Sequence, residues 1–198
     1  MSTTLTSPSG VNLFMPERLL TIEDVAALPS ELPSGPVRYE LNNGRLVVMP
    51  PTAAGHGGSQ TRFASALFVQ GQQRGHGECF SDTGVILRRH PDSLVGPDVA
   101  FVATASLPAR LTKEGYLETI PDLIVEIRSK NDTMPEVLAK VQEYLGAGAR
   151  VVWVADPDAL TVTEYRRNQS PKVFQADDTL AVDDVIPGFA LKVRDGFR

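Results

Sequence analysis

Two acidic residues lie in or beside apolar, β-branched runs of this sequence. Asp98 comes near the start of the run PDVAFVA, and Glu126 lies inside the run PDLIVEI. Alternation along the second run places Glu126 on the opposite face from Leu123 and Val125. A buried carboxylate is costly without a partner, and two carboxylates on neighbouring strands repel each other unless a cation lies between them. These residue types therefore predict a site for a hard cation such as Mg²⁺, which suits phosphodiester hydrolysis.

Other kinds of chemistry find less support in the sequence. The three histidines do not have the spacing of zinc ligands, and neither a Gly-x-Ser-x-Gly motif nor a glycine-rich phosphate loop is present. The stretch GHGG at 55–58 is predicted to be a loop before a helix, and it is only a weak signal for a phosphate contact. An acid at a strand end can also be a simple turn or capping residue, and this alternative stays open for Asp98 and is favoured for Asp122.

The elements that must position these acids are strands mixed with helices. The segments VRYEL and RLVVM, on either side of an Asn-Gly turn, predict a β-hairpin. Apolar spacing predicts a helix from 57 to about 74, and a capping box of Thr133 and Glu136 predicts another from about 134 to 145. The run RVVWVAD is apolar on both faces, which predicts a central strand. The sequence therefore predicts a mixed α/β fold.

Length and composition limit the kind of protein. A chain of 198 residues with 42% hydrophobic content predicts one domain at 19–198, after a flexible N-terminal arm at 1–18 that is rich in Ser, Thr, Pro and Gly. The absence of an apolar run of about 18–20 residues, of a visible signal peptide and of any cysteine besides Cys79 predicts a cytoplasmic protein without a membrane partner. The net charge of −5 means that nucleic acid binding would need a local basic patch, a dimer or metal ions.

The spacing of the two acids resembles that of a known nuclease motif. Pro97 and Asp98, followed by Glu126, are similar to the PD-(D/E)XK nuclease superfamily. In that motif a lysine stands two residues after the second acid, but this chain has Arg128 there. An arginine stays charged and serves poorly in proton transfer, so the departure bears on activity.

A longer series of segments resembles the Uma-two family of restriction-endonuclease-like proteins. The resemblance extends over roughly residues 20–195 and is carried by YELNNGRLVVMPP, FSDTGVIL, GPDVAFV, PDLIVEIRS, EYLGAGARVVWVADP and PGFAL. It implies a restriction-endonuclease-like fold, in which helices flank a central mixed β-sheet and a β-hairpin lies near the N-terminus. It also implies a metal-dependent endonuclease acting on DNA, with Mg²⁺ or Mn²⁺ as cofactor, and we expect a homodimer because one site cuts one strand.

The same resemblance implies further site residues. Lys140, on the helix after the second acid, takes the place of the motif lysine, and Glu40 of the hairpin corresponds to an additional acid. The predicted catalytic residues are Glu40, Asp98, Glu126 and Lys140. The predicted metal ligands are Asp98, Glu126, Glu40 and the carbonyl oxygen of Ile127. Lys130, in the loop RSKND, is the alternative lysine.

Two other functions stay open at this point. Arg128 and the acidic net charge favour a DNA-binding or regulatory protein that keeps the nuclease fold with weak or no cleavage. A hydrolase acting on another phosphodiester, such as RNA, would use the same residues, and the sequence does not separate it from a DNA endonuclease.

Overall fold

The computed structural model describes residues 4–6, 12–14, 18–33, 35–49, 54–110, 115–130 and 132–198. Within these residues the helices are α1 (Ile22–Ala26), α2 (Ala54–Gln70) and α3 (Met134–Ala147), with short 3₁₀ helices at Gln72–Arg74 and Val193–Gly196. The strands are β1 (Thr4–Thr6), β2 (Asn12–Phe14), β3 (Glu31–Leu32), β4 (Gly35–Pro36), β5 (Arg38–Asn42), β6 (Arg45–Met49), β7 (Gly77–Ser81), β8 (Val85–Arg88), β9 (Ser93–Val95), β10 (Val99–Ala103), β11 (Leu123–Ile127), β12 (Val151–Asp156), β13 (Thr161–Tyr165), β14 (Lys172–Phe174), β15 (Thr179–Leu180) and β16 (Leu191–Lys192).

In the described part of the chain, the largest sheet has six strands in the order β14-β13-β12-β11-β10-β7. β11 and β12 run parallel, and the other neighbours run antiparallel. Parallel neighbours need a crossover connection, and α3 supplies it. β12 lies in the interior of the sheet and is buried on both faces, as its sequence predicts. The mixed sheet with its helices confirms the predicted α/β fold class.

Different elements cover the two faces of this sheet. On one face, Phe63 and Leu67 of α2 pack with the C-terminal segment against Val125 and its neighbours. On the other face, Val141 of α3 packs against Ile124 and its neighbours. The alternation of residues along β11 therefore separates two hydrophobic clusters.

The predicted hairpin is confirmed as β5 and β6, which belong to a second, antiparallel sheet with the order β6-β5-β9-β8. The turn residues Asn43 and Gly44 have φ values of 52° and 75°, which is why an Asn-Gly pair suits this turn. Val85 and Val95 of the second sheet join the hydrophobic cluster around α3. α3 therefore packs between the two sheets, and this packing brings the hairpin close to the large sheet.

The helices begin where local signals and packing place them. α3 begins with the predicted capping box, in which Thr133 and Glu136 each accept a hydrogen bond from the other's backbone. α2 begins at Ala54, so residues 55–58 lie inside the helix. The prediction that they form a loop before the helix is wrong. Glycine is a poor helix former, but the packing of Phe63 and Leu67 on the sheet outweighs that local preference.

Cys79 lies on β7 at the side of the sheet that α2 covers. Its half-buried thiol donates a hydrogen bond to the carbonyl oxygen of Ala64 in α2, at 3.7 Å. Burial and the neighbouring charge of Glu78 raise the pKa of this thiol to about 12. Cys79 is therefore a protonated packing residue at neutral pH.

The predicted arm at 1–18 lies mostly outside the described residues, and the parts that are described pair as β1 and β2. The division into this arm and a domain at 19–198 stays a prediction. Among the helices in the described ranges, none combines the length and the apolar character needed to cross a membrane.

Candidate active site

Asp98 and Glu126 come opposite each other where β10 begins and β11 ends. Val99 pairs with Val125 in the antiparallel register, so Asp98 and Glu126 occupy the next facing positions. The backbone N–H of Ile127 donates to Oδ2 of Asp98 at 2.7 Å, which fixes one carboxylate oxygen. The structure thus brings together the two acids and the predicted backbone ligand residue.

Glu40 and Lys140 reach the same place from β5 and α3. Nζ of Lys140 donates to Oε1 of Glu40 at 3.1 Å and lies 4.0 Å from Oε1 of Glu126. The N–H of Gly96 donates to the same Glu40 oxygen at 3.0 Å. The Lys140 side chain is 32% exposed, so its ammonium group meets both solvent and buried acids. The four predicted catalytic side chains therefore come together from β5, the start of β10, β11 and α3.

Tyr144 is a residue of this site that the sequence analysis missed. It is completely buried, and its hydroxyl donates to Oε1 of Glu126. The spacing of four residues places Tyr144 and Lys140 on the same face of α3. A tyrosine also fits the apolar stripe of this helix, so only that spacing relative to Lys140 could have indicated its role.

The surroundings determine which of these groups carry charge. Burial raises the pKa of Glu126 to about 7, with Asp98 and Glu40 adding to the effect and Lys140 and Tyr144 opposing it. Burial alone would lower the pKa of Lys140, but the charges of Glu126 and Glu40 outweigh it, and the pKa lies above its ordinary value. Lys140 is therefore a fixed positive charge at neutral pH.

His56 is the second residue that the sequence analysis missed. It lies on the first turn of α2, and its Nε2 forms a hydrogen bond with Oδ1 of Asp98 at 2.8 Å. One turn later, Gln60 donates to the backbone carbonyl oxygen of Asp98 at 3.0 Å. The bond to Asp98 raises the pKa of His56; burial opposes it, and the charges of Asp98, Glu126 and Asp132 support it. The spacing of the histidines gives no signal for this contact, because the partner of His56 is an aspartate on another element.

Arg128, at the position of the motif lysine, is engaged elsewhere. Its guanidinium pairs with Asp156 at the end of β12 and reaches the carbonyl oxygen of Asp132. Lys130 is exposed and lines, with Arg128, a surface cleft of about 460 Å³. Of the two candidate lysines, Lys140 is the one in contact with Glu40, which favours it over Lys130.

The donor chemistry of the site fits a divalent cation. Three largely buried carboxylates lie there: Lys140 pairs with Glu40 and lies near Glu126, and His56 pairs with Asp98. Carboxylate oxygens are the ligands that hard cations prefer. Within the ranges that the structure describes, no three His, Cys, Asp or Glu side chains form a ready chelating group.

Comparisons with known proteins agree with the fold. The family model described as "Uma2: Putative restriction endonuclease" matches residues 22–194. A solved structure titled as that of "a putative nuclease belonging to DUF820" from Anabaena variabilis is 22% identical in sequence. The similarity covers 90% of this chain and 97% of that chain, with a TM-score of 0.75. At 22% sequence identity, it supports the fold alone. No curated protein matches the sequence.

Proposed function

We propose that this chain, which belongs to the Uma2 family of restriction-endonuclease-like proteins, is a metal-dependent endonuclease that hydrolyses the phosphodiester bonds of DNA. The observation that carries the proposal is the position of Lys140, whose ammonium group lies 3.1 Å from Glu40 and 4.0 Å from Glu126. An acid pair at the ends of neighbouring strands, with a lysine nearby, is the arrangement that the nuclease resemblance implies. The family and the fold support a nuclease, and the metal and the DNA substrate are our proposal.

Asp98 and Glu126 would hold Mg²⁺ or Mn²⁺, with Glu40 and the carbonyl oxygen of Ile127 as further ligands. Such an ion would supply positive charge to the phosphoryl oxygens and make a water molecule more acidic. Glu40 also holds the Lys140 ammonium group in place, and Tyr144 holds one oxygen of Glu126. The residues of the protein are therefore positioned before the substrate arrives.

Lys140 would orient the attacking water and the scissile phosphate. Because its ammonium group stays protonated at neutral pH, it stabilises negative charge that develops on the phosphate and does not act as the base. A site of this kind cuts one strand at a time. We therefore propose a homodimer for the cleavage of both strands, with residues 19–198 as the nuclease domain.

The test is a cleavage assay on plasmid, single-stranded and branched DNA and on RNA, with Mg²⁺, with Mn²⁺ and with a chelator. We expect Glu126→Gln and Lys140→Ala to reduce the cleavage rate by about 100-fold or more, since each removes a charge from the site. Glu118→Gln and Lys192→Ala change the same charges at exposed positions and are the matched controls. Cleavage by both site variants at the parental rate would overturn the assignment, and cleavage of RNA alone would change the substrate.

A second candidate is a nuclease-fold protein that binds DNA and cleaves it weakly or not at all. The ion pair of Arg128 with Asp156 and the net charge of −5 favour it. Calorimetric titration with Mn²⁺ separates the two candidates. An active site should bind the ion in the parent protein and lose it in Asp98→Ala, whereas an inactive fold should show no such difference.

A further inference from the structure

We propose that His56 is a nitrogen ligand of the proposed cation site and that it makes this site select Mn²⁺ and similar transition ions over Mg²⁺. The inference rests on the proposed function and deepens it by naming the class of metal. Mg²⁺ prefers oxygen ligands, whereas an imidazole nitrogen favours first-row transition ions. One histidine among carboxylates would therefore change which ion the site prefers.

The distance between His56 and Asp98 supports a shared ion. Nε2 of His56 lies 2.8 Å from Oδ1 of Asp98. Two neighbouring ligands on one octahedral ion, each about 2.1 Å from the metal, are themselves about 3 Å apart. The hydrogen bond therefore holds the imidazole and the carboxylate at the separation that two ligands of one ion need, and the ion would replace the proton between them.

Burial and anchoring also support a role for His56 at the site. Its side chain is only 13% exposed. Gln60, one turn further along α2, donates to Ser81 and to the carbonyl oxygen of Asp98, each at 3.0 Å. The same helix face is therefore fixed to Asp98 at two points, and the imidazole is held against the acids.

Two of the three carboxylates whose charges act on His56 belong to proposed ligands. The carboxylates of Asp98, Glu126 and Asp132 all act on the imidazole, so it lies within the electrostatic field of the site. A histidine that only oriented Asp98 from outside would leave an all-oxygen site. The two roles differ in one measurable respect, because an outer histidine would support the binding of every divalent ion to a similar degree.

The test measures ion selectivity and direct ligation, independently of cleavage. Mn²⁺ and Mg²⁺ are titrated separately by calorimetry into the full chain and into His56→Ala. We expect His56→Ala to weaken Mn²⁺ binding by about 10- to 100-fold and to change Mg²⁺ binding by less than about 3-fold. Pulsed EPR of bound Mn²⁺ should show nitrogen coupling in the parent protein and none in His56→Ala.

His76→Ala is the matched control. Ser81, at one end of β7, contacts Asp98, whereas His76 lies before the other end of this strand and away from the site. If His56→Ala does not fold by circular dichroism, His56→Asn answers the same question, since an amide side chain of similar size supplies no imidazole nitrogen. Equal weakening of both ions, or nitrogen coupling that persists in the variant, overturns the inference and leaves the proposed function standing. A parent protein that binds neither ion overturns the proposed metal dependence and this inference with it.

Discussion

The hydroxyl of Tyr144 and the carboxylate of Glu126 satisfy each other inside the protein. Tyr144→Phe removes the hydroxyl group and leaves a largely buried carboxylate oxygen of Glu126 without this hydrogen-bond donor. We expect the free energy of unfolding to fall by about 1–3 kcal/mol, which is the usual cost of an unpaired buried polar group. Urea denaturation measures it.

Tyr165→Phe is the control for that variant, because Tyr165 packs in the same hydrophobic cluster. The two variants remove the same atom. If both lower the midpoint of unfolding equally, the bond to Glu126 contributes nothing particular to stability.

Some residues of the candidate site could be predicted and others could not. Asp98 and Glu126 were found because acids in apolar strands are unusual in the sequence itself. Lys140 was found only through the family resemblance, since a helix lysine at the border of an apolar stripe is ordinary. The role of His56 depends on a contact between a helix and a strand end that lie 42 residues apart, and no local sequence pattern encodes such a contact.

At the scale of elements, α2 depends on its packing more than on its local sequence. Phe63 is completely buried, whereas Phe68 on the same helix is 42% exposed. We expect Phe63→Ala to cost about 3–5 kcal/mol because it leaves a cavity beneath the helix. Phe68→Ala removes the same side chain at the surface and should change stability by less than about 0.5 kcal/mol.

Chemical denaturation of both variants measures this difference. Similar losses in the two would mean that α2 is not held to the sheet through Phe63. The same reasoning explains the error at 55–58, because Phe63 and Leu67 pack on the sheet and His56 bonds to Asp98, whereas the glycines themselves favour no helix.

The elements that the sequence predicted well carry their own signals. The β5–β6 hairpin has an Asn-Gly turn, and α3 has a capping box, so each is encoded within a few residues. The order of strands in the large sheet has no such local signal. β7 pairs with β10 although β8 and β9 of the second sheet come between them in the sequence, and that arrangement depends on the packing of the whole chain.

At the scale of the whole molecule, an ion cluster joins three distant segments. Asp184, near the C-terminus, accepts hydrogen bonds from Arg166 after β13 and from Arg150 before β12. The bonds from Arg166 lower the pKa of Asp184, with burial opposing them. An acid with a lowered pKa stabilises the folded state above its unfolded pKa of about 4, and the contribution is lost as the pH falls through the folded value.

We therefore expect Asp184→Asn to be less stable than the parent at pH 7, by less than about 1 kcal/mol because the group is partly exposed. The difference should narrow as the pH is lowered from 6 towards 3. Thermal unfolding across this range measures it, with the exposed Asp158→Asn as the control for charge. A difference that does not change with pH would mean that the ionised form of Asp184 contributes nothing to stability.

The single thiol of the chain, Cys79, gives the protein a built-in reporter of local unfolding. In the closed state the thiol is protonated and hydrogen-bonded to α2, so it should react slowly with alkylating reagents. Each transient separation of α2 from β7 would expose it to labelling. Because His56 and Gln60 belong to the same helix, the half-time of alkylation would report how often the candidate site comes apart, without any added label and without a substrate.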